Sequence, residues 1–287
     1  MGRGADELEW GVFHADDAAF RLARAALRVG VRLTSVCDGP EQARVPARRV
    51  DSLQAVLDVC DILIIGGPDA YATATSALQA GKHVCVSLPV TREPKSFLRL
   101  AHVATNHRRQ LHLFAPAFYS PAFRTLRGHA RPSEVQEVGL TVTTDAGFSS
   151  AADAVFAHLP QLQKLVLLGG PVKLISRATF QDGRFEASLL FRSGARGDVS
   201  IRPVADGDEP TRELDVQTEL DWHIRGEHLF SGSSMTTLTD DRSPHELSVL
   251  ELGMVAGGQG RPTLDVRGHY HTLLVLQALA STTPTRL

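Results

Sequence analysis

Several features are scarce in this chain of 287 residues, and each scarcity excludes a class of protein. The three cysteines, Cys37, Cys60 and Cys85, form no CxxC pair, which excludes a disulfide framework and a cysteine-based zinc site. The net charge is -2, so no basic excess favours nucleic acid. No apolar run approaches the roughly 20 residues that span a bilayer. We therefore expect a cytoplasmic protein that binds neither nucleic acid nor a membrane.

The histidines do not supply a metal site in place of the cysteines. His223 with His228, and His269 with His271, are pairs that lack a third clustered ligand. Because a protein zinc site uses three or four protein ligands, the sequence predicts no metal centre.

The N-terminal part of the chain alternates between short strand patterns and helical patterns. Strands are predicted at 10–13, 31–36, 61–65, 83–86 and 110–114, and helices at 18–27, 52–59, 71–80 and 93–106. This alternation predicts an α/β domain over 1–118, with a doubly wound parallel sheet and a ligand crevice at the carboxyl ends of its strands.

From residue 137 the pattern changes to successive strands. These are predicted at 138–144, 172–179, 185–191 and 199–203 and between 214 and 238, with helices at 153–168 and 266–280. The sequence therefore predicts an α+β domain over 119–287 with a largely antiparallel open sheet. We expect the last helix, 265–281, to pack back on the first domain.

Three motifs carry a resemblance to a known family. A buried strand enters the turn Gly66-Gly67-Pro68-Asp69, Ala-Gly-Lys-His-Val follows at 80–84, and Ser-Leu-Pro ends the segment at 87–89. Further on, His158 precedes a helix that ends in Leu-Leu-Gly. These motifs are similar to those of the Gfo/Idh/MocA oxidoreductases. The resemblance implies a Rossmann domain, an NAD(P) cofactor and a homodimer formed through the C-terminal sheet.

The dinucleotide loop of that family requires glycines that this chain lacks. In the family register, His14, Asp16 and Ala19 occupy the three glycine positions. Asp16 brings a carboxylate to the helix N-terminus where a pyrophosphate would bind, although it could equally be an ordinary helix cap. The family's other cofactor-contacting positions fall on Asp38, Pro68 and Ser87.

The resemblance also implies which catalytic group is missing. In the family, the lysine of Glu-Lys-Pro assists proton transfer, but Leu88 occupies that position here and cannot donate a proton. His158 and Tyr119 remain as candidate catalytic residues, and His158 has the alternative interpretation of a hydrogen-bonded structural histidine.

Together these substitutions favour a protein without a nicotinamide cofactor. It would be an acid–base enzyme (isomerase, lyase or cyclase) or a non-catalytic partner, and the alternative is an active NAD(P)-dependent oxidoreductase such as an imine or ketone reductase. Phe114, Phe118, Phe148 and Phe156 indicate a small apolar or aromatic ligand, unless these rings are simply core.

Overall fold

The computed structural model describes residues 7–14, 16–37, 46–145, 147–205, 208–236, 242–282 and 285–287. The chain divides into two compact units, Met1–Tyr119 with Asp241–Arg267, and Ser120–Asp240 with Gly268–Leu287. The first unit thus includes a segment from the C-terminal part of the chain, which no local pattern in the sequence indicates.

The first unit is built on a six-stranded parallel sheet. Its strands are β1 (Glu9–Phe13), β2 (Arg32–Cys37), β3 (Arg48–Arg49), β4 (Ile62–Ile65), β5 (His83–Ser87) and β6 (Leu111–Phe114), in the order β3-β2-β1-β4-β5-β6. Its helices are α1 (Asp17–Arg28), α2 (Leu53–Leu57), α3 (Ala70–Gln79), α4 (Pro94–Asn106) and α8 (Pro244–Ala256), with a 3-10 helix at Pro116–Tyr119. The strand order reverses at β1, which places the ligand crevice of such a sheet at the ends of β1 and β4.

Helix α8 completes the core of the first unit. It begins with a capping box in which the Ser243 and Glu246 side chains bond each other's backbone amides. Val249 and Leu252 of α8 are fully buried and pack into the apolar cluster that contains Trp10 of β1. Burial of these side chains explains why a distant segment folds with the first unit.

The second unit contains a nine-stranded mixed sheet. Its strands are β7 (Glu137–Thr144), β8 (Val172–Gln181), β9 (Arg184–Phe191), β10 (Arg196–Pro203), β11 (Arg212–Gln217), β12 (Asp221–Arg225), β13 (His228–Ser231), β14 (Ser234–Thr236) and β15 (Thr285–Arg286). The order is β14-β13-β12-β11-β7-β10-β9-β8-β15. Among the described strands of this second sheet, only the β7–β10 pair is parallel. The helices are α5 (Pro121–His129), α6 (Ala151–Ala157), α7 (Leu159–Gly169) and α9 (Val266–Ala280).

The predicted fold class is confirmed, but one predicted helix is wrong. The continuous helix expected over 153–168 is divided at His158, which is both the C-cap of α6 and the N-cap of α7. Pro160 lies in the first turn of α7, where its missing N–H costs no hydrogen bond, whereas a continuous helix would need that donor.

Within the described part of the chain, no helix is both long enough and apolar enough to cross a membrane.

Gly169, the last residue of α7, provides a test of packing in the second unit. A Cβ at this position would overlap the ring of the buried Phe191, whereas a Cβ at Gly128 of α5 would meet no atom within 4 Å. We expect Gly169→Ala to lower the free energy of unfolding by about 1–3 kcal/mol through overpacking. Gly128→Ala should raise it by about 0.5–1 kcal/mol. Urea unfolding measures both changes, and equal effects of the two variants would contradict the packing described here.

Candidate functional site

The loop between β1 and α1 carries two of the residues predicted to contact a cofactor. His14 has a left-handed backbone with φ 47°, and its amide donates a 3.2 Å hydrogen bond to the carbonyl of Cys37. Asp16 is the N-cap of α1, and its Oδ1 accepts a 2.8 Å hydrogen bond from the amide of Ala19. The helix cap that the sequence offers as one interpretation of Asp16 is therefore present.

The turn after β4 brings a second backbone segment against Asp16. The amide of Gly67, where φ is 79°, donates a 3.3 Å hydrogen bond to Oδ2 of Asp16. A Cβ at Gly66 would lie 2.6 Å from the same carboxylate, so glycine is required for this close approach, and the exposed Pro68 follows. The carboxylate therefore accepts amide hydrogen bonds at the helix N-terminus where a phosphate group would otherwise bind.

Ser87 ends β5, beside Phe114 of the parallel strand β6. Its Oγ is buried and has no hydrogen-bond partner among the described residues. The next peptide bond, Leu88–Pro89, is cis. A buried hydroxyl without a partner costs free energy, and a ligand that bonds it would recover that cost.

These positions indicate whether the first unit can bind a dinucleotide. The unpartnered Oγ of Ser87 and the Gly66-Gly67 turn lie at the carboxyl ends of neighbouring parallel strands, the edge at which this sheet architecture binds nucleotides. The carboxylate of Asp16 opposes an anion there, but it is exposed and can rotate away. The residues present can therefore bind a dinucleotide, provided that the Asp16 carboxylate gives up its cap hydrogen bond with the amide of Ala19. Asp38, another of the predicted cofactor-contacting positions, lies outside the described residues.

Tyr119 is tied into the first unit by a carboxylate. Its Oη donates a 2.6 Å hydrogen bond to Oε1 of Glu251 in α8, which also accepts a 2.8 Å hydrogen bond from the amide of Thr263. Burial, followed by the Glu251 charge, raises the pKa of Tyr119 well above its usual value. This geometry favours a structural role for Tyr119 over the acid–base role that the sequence predicts.

His158 has the features of a reactive histidine within the second unit. Its Nε2 is buried and lacks a hydrogen-bond partner among the described residues, and its ring makes an edge-on contact with Phe148 at 5.7 Å. Burial, followed by the charge of Arg212, lowers its pKa from the usual value. A neutral imidazole with an unoccupied nitrogen can accept a proton from a reacting group.

Two cationic residues of the second unit, Lys164 and Arg212, have no place in the sequence-based prediction. Lys164 lies on α7 with its Nζ 5.0 Å from the centre of the Phe123 ring, and its pKa is lowered to about 8 by burial and then by Arg212. In the sequence, Lys164 is the one charged residue of the segment Leu159–Gly169, and this isolated charge is the signal that could have revealed it. For Arg212 the sequence has no comparable signal.

The four rings of the predicted aromatic pocket are divided between the two units. Phe114 and Phe118 are buried in the first unit, where Phe114 belongs to the apolar core. Phe156 is buried in the second unit, and Phe148 is the ring that contacts His158. Among the described residues, no group of three or more His, Cys, Asp or Glu side chains could bind a metal ion.

Comparison with known proteins yields structural relatives but no sequence relatives. No family model and no curated protein matches the chain. Biliverdin reductase from Synechocystis sp. PCC 6803, solved with biliverdin and NADP+, superposes with a TM-score of 0.74 at 18% identity, over 96% of this chain and 98% of that one. WlbA dehydrogenase from Bordetella pertussis, solved with NADH and UDP-GlcNAcA, gives a TM-score of 0.80 at 16% identity and 99% coverage of both chains. GenD2 from gentamicin A biosynthesis, solved with NAD, gives 0.80 at 14% identity over 100% of this chain and 99% of that one.

These structures correct the expectation of a protein without a nicotinamide cofactor. That expectation is wrong because all three proteins share the fold over nearly their whole length and contain NADP+, NADH or NAD. The physical reason is that the fold itself supplies backbone amides and strand ends to the nucleotide, so side chains at three loop positions are a poor guide to binding. This chain has the two-domain fold of the Gfo/Idh/MocA oxidoreductases, the family that its motifs resemble.

Proposed function

We propose that the protein is an NAD(P)-dependent oxidoreductase that reduces or forms a C=N or C=O bond in a small molecule. The observation that carries this proposal is the full-length fold shared with proteins that contain NADP+, NADH or NAD. The unpartnered Oγ of Ser87 at the end of β5 supports it from within the chain.

The residues at the ends of β1, β4 and β5 would bind the dinucleotide. The backbone after β1 and the Gly66-Gly67 turn would face its phosphates, and Ser87 would donate or accept a hydrogen bond on its nicotinamide side. When bound, NAD(P)H supplies the hydride. The chain must then supply or accept the matching proton, which Leu88 cannot do.

We assign the proton transfer to Nε2 of His158. This atom is buried without a hydrogen-bond partner among the described residues, so a substrate group that bonds it would recover the free-energy cost of that burial. The neutral imidazole accepts a proton when an alcohol or amine is oxidised, and the imidazolium returns it during reduction. Phe148 at 5.7 Å offers an aromatic surface to the substrate, which supports an apolar or aromatic molecule.

We also propose a cytoplasmic homodimer. The cysteines Cys37, Cys60 and Cys85 are buried and form no disulfide, which suits a reducing compartment. For the dimer, the support is the sequence resemblance, and the interface would be the open sheet of the second unit.

Titration with NADH and NADPH, with two serine variants alongside, tests this function. Ser87→Ala should weaken binding of the preferred nucleotide by about fivefold, the value of one net hydrogen bond, and should not lower the free energy of unfolding. Ser35→Ala is the matched control, because Oγ of Ser35 is also buried without a partner among the described residues but lies within β2.

Each result of this titration has a defined meaning. Binding by the native protein that weakens in Ser87→Ala but not in Ser35→Ala supports the proposed site. Failure to bind either nucleotide at millimolar concentration would remove the proposed function.

A further inference from the structure

Helix α7 contains one charged side chain on an otherwise uncharged surface. Its sequence is Leu-Pro-Gln-Leu-Gln-Lys-Leu-Val-Leu-Leu-Gly, and the leucines on either side of Lys164, Leu162 and Leu165, are buried. The Lys164 ammonium group is stacked on the buried ring of Phe123 in α5. A cation–π contact of this kind is a modest compensation, about 0.5–2 kcal/mol, for an ammonium group removed from water.

Arg212 lies on the same side of the sheet as α7. It is paired with Val142 of β7, and alternation along β11 places it on the face of the buried Leu214 and Val216. Helix α7 packs on β7 on that face. The proximity of the guanidinium group is also evident electrostatically, because its charge lowers the pKa of both His158 and Lys164.

Within the described ranges, neither Lys164 nor Arg212 forms an ion pair, although ion pairs such as Arg225–Glu213 occur elsewhere in the same sheet. Lys164 is only partly exposed, and repulsion between charges of one sign increases where water is excluded, so a bound anion would relieve the repulsion between Lys164 and the exposed Arg212. An anion would also be a hydrogen-bond acceptor for two charged donors, which is the stronger class of hydrogen bond.

We propose that Lys164 and Arg212 form a subsite that binds a carboxylate or phosphate group of the substrate beside His158. That the anion is part of a substrate rests on the proposed function, whereas the existence of the anion site does not. The subsite would orient a molecule whose reactive part faces His158, and it would restrict the enzyme to substrates with an acidic group. The two positive charges would also increase the affinity for the substrate beyond what contacts with its apolar part provide.

Calorimetric titration of the whole chain with inorganic phosphate and with malonate tests the subsite. The native protein should bind at least one of these anions, and both Lys164→Met and Arg212→Gln should weaken that binding by about tenfold or more. Tighter binding of phosphate would indicate a phosphorylated substrate, and tighter binding of malonate a carboxylic acid. Lys173→Met and Arg196→Gln, exposed residues of the same unit, are the matched controls and should change the affinity less than about twofold.

A competing explanation is a groove of about 900 Å³ on the sheet, which Arg212 itself lines together with Arg184 and with carboxylates that include Asp208 and Glu209. Arg184→Gln separates the two, because it should leave the affinity unchanged if Lys164 belongs to the site. Anion binding that is lost in Arg184→Gln, or that survives in Lys164→Met, would overturn the proposal, as would an absence of binding.

The same protein preparations distinguish a failure of the anion subsite from a failure of the proposed function. Lys164→Met should remain folded and become more resistant to thermal unfolding, because it removes a buried charge. Nucleotide binding without anion binding removes only the subsite, whereas anion binding without nucleotide binding removes only the oxidoreductase function.

Discussion

Asp16→Asn should tighten NADH or NADPH binding by about four- to tenfold. The Asp16 carboxylate accepts amide hydrogen bonds from Ala19 and Gly67 at the end of β1, where the phosphates of a dinucleotide would lie. Two unit charges about 5 Å apart repel by about 0.8 kcal/mol in water and about 3 kcal/mol at an effective dielectric constant of 20. The exposure of Asp16 favours the lower part of this range. Asparagine removes the charge and remains a good helix cap.

The measurement is a fluorescence or calorimetric titration of the native and variant proteins at low and high salt. The difference between them should shrink in 1 M salt, where the screening length falls to about 3 Å. Asp17→Asn is the control, because Asp17 is an exposed neighbour that pairs with Arg21 in the next turn. An equal gain in affinity from both variants would show a general charge effect and contradict a specific role for Asp16.

Acid should destabilise both units well above the pH at which their carboxylates titrate. His112 of the first unit is buried, and burial lowers its pKa to about 4 against the partial opposing effect of Glu251. His269 of the second unit is buried, bonded through Nδ1 to Nε2 of Gln163 at 3.0 Å, and burial lowers its pKa to about 3. In the unfolded chain both would titrate near the ordinary value of about 6.5.

The sign of the effect follows from proton binding. Between pH 6.5 and about 4 the unfolded chain carries protons on these histidines that the folded chain does not. Stability is therefore complete above pH 6.5 and falls as the pH decreases toward the folded-state pKa values. Each histidine should contribute a loss of about 1.4 kcal/mol for every pH unit.

Urea unfolding at about pH 7, 6 and 5 measures how the free energy of unfolding depends on pH. His112→Gln and His269→Gln should each flatten the dependence of their own unit, whatever they do to its absolute stability. His228→Gln, at an exposed position of β13, is the matched histidine control. A native protein whose unfolding free energy is constant from pH 7 to pH 5 would contradict the burial of both histidines as neutral groups.

The sequence alone determined the architecture and much of the candidate site's location. Alternating strand and helix patterns specify a parallel sheet because each pattern records which side of a local element is buried. The turn after β4 and the end of β5 were identifiable because the carboxyl ends of parallel strands meet at one edge of the sheet. The resemblance of the Ser87-Leu88-Pro89 segment directed attention to the same edge.

Tertiary structure alone decided which of these residues act together. The Asp16 carboxylate meets Gly67, and α8 joins the first unit, through contacts between distant parts of the chain. The charge of Arg212 reaches Lys164 in the same way. Local periodicity holds no information about such contacts, because they arise when whole elements pack. The loop motif misled the cofactor prediction for the same reason, since nucleotide binding in this fold depends on assembled backbone groups more than on three side chains.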